Sequence, residues 1–126
     1  MSDDSPTLAL RAVAMPVFAN AEGDIFGGWL LSQMDLAGAT VAKRRANGRV
    51  VTVAVTGMTF VQPVFVGDEV TCYAEIVKTG RTSITLKIKA SARRGRTGES
   101  IEVTEGLFTY VAVDAEGKSR PVNLEG

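Results

Sequence analysis

Apolar and polar positions follow two different periods along this chain, and the change falls at Gly48. Before it, residues 27–47 (GGWLLSQMDLAGATVAKRRAN) carry apolar groups on nearly every side, including Trp29, Leu30, Leu31, Met34, Leu36, Val41 and Ala42. Such a stretch predicts a core helix of about 20 residues, roughly 30 Å long. Two glycines open it. Asp24 lies just upstream, where an acidic group suits the positive end of the helix dipole, and Lys43, Arg44 and Arg45 crowd the last turn, where cations suit the negative end. Asn47-Gly48 is a stop signal.

The other segments read as strands and turns. Leu8–Met15 predicts a strand of about six residues ended by Pro16, and VFANAEGDIF is a loop rich in turn formers. After Gly48, Val50–Val55 is β-branched, and Met58–Val61 continues that strand past Gly57, a glycine suited to a bulge or a close backbone approach. Gln62-Pro63 breaks it. Glu69–Lys78 is the next strand. Arg81–Arg94 alternates most clearly, with Ile84, Leu86, Ile88, Ala90 and Ala92 on one face and Thr85, Lys87, Lys89, Ser91 and Arg93 on the other. Ile101–Val113 is the last strand. Short turns predict an antiparallel meander for the final four. Strand, helix, then four strands is an α+β architecture, a five-stranded antiparallel sheet curved around one long helix, which is the hotdog arrangement. Residues 1–126 are then one domain, with 1–7 and 119–126 as tails.

Composition narrows the chemistry. At 126 residues with 45% hydrophobic content and 14 basic against 14 acidic side chains, the chain reads as a soluble globular domain and not as a general nucleic-acid binder. The single cysteine, Cys72, permits no intrachain disulfide and fits a reducing compartment. The acidic start lacks the pattern of a signal peptide, and Ser32, Gln33 and Asp35 interrupt the longest helical apolar run, so a membrane span is not expected. A cytoplasmic location is the expectation. Histidine is absent altogether. This excludes Ser-His-Asp and Cys-His catalysis and histidine-containing zinc sites, and one cysteine builds no zinc site either. Any proton chemistry falls to carboxylates, lysine, tyrosine or the backbone.

Against that background Asp35 stands out, the one ionisable group between Asp24 and Lys43. A carboxylate on a buried helix is costly unless it is paired, hydrogen-bonded or used. It either caps or pairs structurally, or it works at a functional site. The NAEGDIFGG segment is either a turn before a tightly packed helix start or a place where bare N–H groups hold a carbonyl or oxyanion. Asn20 lies seven residues before Gly27, and Asp35 eight after it, roughly 12 Å along a helix axis. That span is long for one small carbonyl unless the ligand lies along the helix or Gly27 belongs to the loop. Arg93, Arg94 and Arg96 form either a solvated turn or a phosphate clamp. Cys72, Ser32 and Ser83 have no visible base.

The segments AMPVFANAEGDIFGGWLLSQMDLAGA, GRVVTVAVTGMTFVQPVFVGDEV and LFTYVAVDAEGKSRP resemble the YciA-type bacterial acyl-CoA thioesterases of the hotdog superfamily, from about Leu8 to Pro121. GDIFGGWLLSQMD is the most specific part of the match. The resemblance implies hydrolysis of acyl-CoA to a free acid and CoA with neither metal nor organic cofactor, CoA being part of the substrate. It puts the catalytic carboxylate, as base or nucleophile, on Asp35. It puts the positioning of water or thioester on Asn20, and polarisation of the carbonyl on the N–H of Gly27, with Gly28 beside it and Asp24 supporting. It further implies a homodimer as catalytic unit with Asn20 and Asp35 acting across protomers, Thr59 bordering the site from the partner, Arg93 and Arg94 meeting CoA phosphates, and a hexamer built as a trimer of dimers. Hotdog dehydratases and hydratases need a histidine, which this chain lacks. A non-catalytic acyl-CoA-binding module and a purely structural oligomeric domain are the competing readings, separable by CoA calorimetry.

Overall fold

A computed structural model describes residues 6–123. The elements in chain order are β1 (Thr7–Val13), a 3-10 turn at Pro16–Phe18, α1 (Gly27–Ala46), β2 (Val50–Thr56), β3 (Glu69–Thr79), β4 (Ser83–Arg93) and β5 (Ser100–Ala112). The strands form one antiparallel sheet in the order β1-β3-β4-β5-β2. The α+β hotdog architecture expected from the hydrophobic pattern is the one observed.

The alternation read in the sequence for residues 81–94 is the one observed, and the neighbouring strands bury one face in the same way. Val70, Cys72, Ala74 and Ile76 of β3, and Ile84, Leu86, Ile88, Ala90 and Ala92 of β4, all face inward and are buried. Phe108, Tyr110 and Ala112 of β5 do the same. Against them α1 packs Leu30, Met34, Ala37, Gly38, Val41, Ala42 and Ala46, spaced three or four apart as one helical face. Burial of Leu30 and Met34 contributes roughly 1.5–3 kcal/mol each. Asn47 closes the helix in the left-handed conformation at φ 53°, its N–H donating to the carbonyls of Lys43 and Arg44.

Three expectations are corrected. The helix is buried on one face only, for Leu36 is 55% exposed and Leu31 is exposed too. Its apolar circumference exceeds what one curved sheet covers. The second strand ends at Thr56 and does not run on through Met58–Val61, because Gly57 takes φ 72° and turns the chain away. The last four strands are not a simple meander. β3, β4 and β5 follow one another, but β2 lies at the far edge, beside β5. The connection of residues 57–68 is long enough to carry the chain from one side of the sheet to the other.

The segment expected to be a tail from residue 119 is docked as far as Asn123. Ser119 pairs with Val113, Val122 is buried, and the Arg120 guanidinium donates to the carbonyls of Ala46, Val113 and Pro121. At the other end Thr7 belongs to β1; residues 1–5 and 124–126 of the expected tails lie outside the described residues. Among the described residues no helix is long and apolar enough to cross a membrane.

Candidate active site

Asp35 lies on α1 between buried Met34 and exposed Leu36, and is itself half-buried. Thr52 Oγ1 donates to its Oδ1 at 2.8 Å. The Tyr110 hydroxyl shares its one hydrogen between the Asp35 backbone carbonyl at 2.9 Å and the same Oδ1 at 3.1 Å. Thr52 and Tyr110 are direct partners in the β2–β5 ladder, and the register shifts between Thr52 and Ala54, leaving Val53 as an extra residue in β2. Among the described residues Asp35 has no ion pair with a cation. The distant-Arg explanation is therefore absent, and hydroxyl groups stand in its place.

Tyr110 is fully buried. Burial first, then the charge of Asp35 and its hydrogen bond, hold the phenol above its ordinary range, so it stays a donor at neutral pH. Gly38, three residues after Asp35, makes room for it. A Cβ there would collide with the Tyr110 hydroxyl and with Ile88 Cδ1. Neither Thr52 nor Tyr110 was singled out in the sequence. One signal for Tyr110 was available: a tyrosine alternating inward with Phe108 and Ala112 must find an acceptor for its hydroxyl.

The helix start is bare. Phe26 is the N-cap in extended conformation with no side-chain cap, and Gly27 is the first helical residue, not a loop residue. The N–H groups of Trp29 and Leu30 donate to the Phe26 carbonyl, and those of Gly27 and Gly28 have no intrahelical acceptor. The Phe60 ring lies 3.5 Å from where a Cβ on Gly27 would sit, and open space surrounds Gly28. Beside them is an apolar cavity of about 250 Å³ lined by Phe26, Gly27, Leu30, Phe60, Pro63 and Val64, among others.

Asn20 shapes the loop before the helix. Its Oδ1 accepts from the N–H groups of Glu22 and Asp24, both at 3.0 Å, while its own N–H donates to the Asp24 carbonyl at 2.8 Å. Its amide nitrogen takes no part in these bonds. Asp24 is half-buried and bridges to Phe65 through the backbone. Thr59 is exposed, and its carbonyl accepts from Thr104 Oγ1 at 2.7 Å. It lines a second cavity of about 270 Å³ with Gly57, Val61 and Thr104.

The two arginines at the end of β4 differ. Arg93 is exposed. Arg94 is committed elsewhere: it pairs with buried Asp68 at 2.5 Å, donates to the Pro63 carbonyl at 3.0 Å, and lies 4.6 Å over the Phe65 ring. Asp68 also accepts from the Phe65 N–H at 2.9 Å. Arg94 therefore ties down residues 63–68 and is not a free cation. Cys72 is buried and its thiol is pushed up to about 12 by that burial, which removes it as a nucleophile. Among the described residues no group of three or more Cys, Asp or Glu side chains could hold a metal ion.

One chain does not bring all the candidates together. Gly27 and Asp35 lie on the same helix, separated by roughly 12 Å along its axis. Asp35 sits instead beside β2, an edge strand whose seven residues are exposed except for half-buried Val50.

The thioesterase superfamily model matches residues 22–99. The acyl-CoA thioester hydrolase YciA of Salmonella typhimurium is 54% identical over 129 aligned positions, covering 98% of this chain and 97% of that protein. A hexameric thioesterase from Yersinia pestis superposes with a TM-score of 0.89 at 56% identity, covering 93% of this chain and 95% of its own. A hexameric hotdog-fold thioesterase of Campylobacter jejuni gives 0.87 at 44% identity, covering 94% and 91%.

Proposed function

The chain belongs to the thioesterase superfamily as an acyl-CoA thioester hydrolase of the YciA type, and on that premise we propose that Asp35 is the catalytic carboxylate of a site built by two copies. The observation that carries this reading is the environment of Asp35: a half-buried carboxylate without a cation partner, beside an exposed strand edge. A carboxylate held by hydroxyl groups, with no cation beside it, is open to a substrate water.

In this reading Asp35 of one copy takes a proton from water, and the hydroxide adds to the thioester carbonyl carbon. The oxyanion forms against the N–H groups at the start of the other copy's helix, at Gly27 with Gly28 beside it. Collapse breaks the carbon–sulfur bond, and the proton passes to the CoA sulfur. Asn20, with its amide nitrogen unused in the loop, orients water or thioester, and Asp24 holds that loop in shape. Thr59 borders the site from the partner. If Asp35 instead attacks directly, hydroxylamine will trap an acyl-enzyme. No metal or organic cofactor takes part. The cell interior, where acyl-CoA is found, is the proposed location.

The spacing supports a two-copy site. Roughly 12 Å separates Gly27 from Asp35 within one chain. Pairing of two β2 edges would join the sheets, cover the apolar Val51, Val53 and Val55, and bring each Asp35 toward its partner's helix start. Three such dimers would make the hexamer seen in the relatives. Arg93, exposed at the end of β4, is the residue proposed to meet CoA phosphates, while Arg94 keeps the adjoining loop in place through Asp68.

The test is steady-state hydrolysis of acyl-CoA, followed by thiol release, in Asp35→Ala. A loss of about 10²–10⁴-fold with the fold and assembly unchanged is expected. Wild-type turnover would remove Asp35 from the mechanism.

A further inference from the structure

The Asp35 carboxylate is held asymmetrically. Both side-chain donors that reach it, Thr52 Oγ1 and the Tyr110 hydroxyl, converge on Oδ1. Among the described residues none donates to Oδ2. The two donors come from different strands, yet they are direct partners across the β2–β5 ladder, so the sheet presents them side by side. The extra residue at Val53 follows Thr52 immediately. It shifts the alternation of β2, so that Thr52 lies opposite Tyr110 and Val55 opposite Phe108 in the ladder while both stay exposed at the sheet edge. Gly38 opens the helix surface so that the tyrosine oxygen reaches both the carboxylate and the helix backbone.

We infer that Thr52 and Tyr110 are positioning residues that clamp Oδ1 of Asp35 and reserve Oδ2 for the reacting water or carbonyl. This deepens the reading of Asp35 as the reacting carboxylate and rests on it. A carboxylate on a flexible side chain loses rate by sampling unproductive rotations, and two donors on one oxygen fix the rotation of the group. Both donors are neutral, so they orient the carboxylate without pairing its charge away. The surroundings add nothing that competes. β2 carries no ionisable side chain. On β5, Glu102 and Glu105 are exposed, and on β4, Lys87 and Lys89 alternate outward from Ile88.

The test compares Thr52→Val, Thr52→Ser, Tyr110→Phe and the Thr52→Val/Tyr110→Phe double variant with the wild type and Asp35→Ala, as the intact assembly. Thr52→Val is isosteric and lies on an exposed strand, so its fold is not at risk. Each single loss of a hydroxyl should lower kcat by about 3- to 10-fold with KM within twofold. Thr52→Ser should restore wild-type kcat. The double variant should fall below the product of the singles, because either donor alone still limits the rotation. The chain has two tyrosines, so the ring Cζ resonance of ¹³C-labelled Tyr110 is readily assigned, and it should move in Asp35→Ala. If Asp35→Ala is inactive while the double variant keeps wild-type kcat, or if Val and Ser at position 52 behave alike, the clamp is refuted and the role of Asp35 stands. If Asp35→Ala retains turnover, both are refuted.

Discussion

Gly38 inverts an ordinary rule of helices. A glycine in a helix interior usually costs about 1 kcal/mol relative to alanine, so Gly→Ala should stabilise. Here the added methyl would strike the Tyr110 hydroxyl and the Ile88 methyl, neither of which has room to move in a packed interior. Gly38→Ala is expected to destabilise by about 1–3 kcal/mol, read from urea unfolding, and to displace the tyrosine from Asp35. At the β4 end, Arg93→Glu should raise KM for acyl-CoA several-fold and leave kcat nearly unchanged, because remote phosphates are bound alike in ground and transition states. An unchanged KM would take Arg93 out of substrate binding. At this scale the sequence singles out Asp35, because one charge in a long apolar helix is conspicuous. Its partners are another matter. Thr52 and Tyr110 are 17 and 75 residues away, and only the strand register brings them to one oxygen. The contrast between Arg93 and Arg94 is equally invisible in the chain, since it depends on which of two adjacent guanidiniums faces the buried Asp68.

For the elements, periodicity is a sufficient guide to what they are but not to where they lie. The inward positions of β4 are those the alternation marks, and the helix limits agree to one residue. Strand order is not legible in the same way. Adjacent strands with short turns must be neighbours, but a twelve-residue connection between β2 and β3 imposes no such constraint, and β2 docks on β5. The consequence is an apolar edge strand, with Val53 at 55% exposure. Unpaired edges of this kind invite strand addition. Val53→Lys, which puts a charge on that edge, should shift the assembly toward smaller species in sedimentation velocity and lower activity in parallel. An unaltered assembly would show that β2 is not the pairing edge.

In the molecule as a whole, two buried acids link stability to pH. Cys72 is raised from its ordinary value near 9 to about 12, and Tyr110 is raised from its ordinary value near 10, both because folding buries their neutral forms. Each contributes stability that is complete below its unfolded value. The unfolded chain loses these protons first, so stability falls as pH rises above about 9, by about 1.4 kcal/mol per pH unit for each group in its window. Urea midpoints measured from pH 8 to 11 should decline accordingly. Cys72→Ala should flatten the decline from its onset, and Tyr110→Phe should flatten it above about pH 10. A slope that is undiminished in the Cys72→Ala/Tyr110→Phe double variant would place the linkage elsewhere.

The distance between the helix start and Asp35 has one more consequence, and it concerns reaction order. If neither copy holds a complete set of groups, catalysis belongs to the pair, and the rate depends on how many pairs exist. On serial dilution, initial velocity should at first fall in proportion to enzyme and then, below the dissociation constant of the pair, fall as the square of concentration. A helix two turns longer than one carbonyl needs would thus make the enzyme's specific activity a function of its abundance.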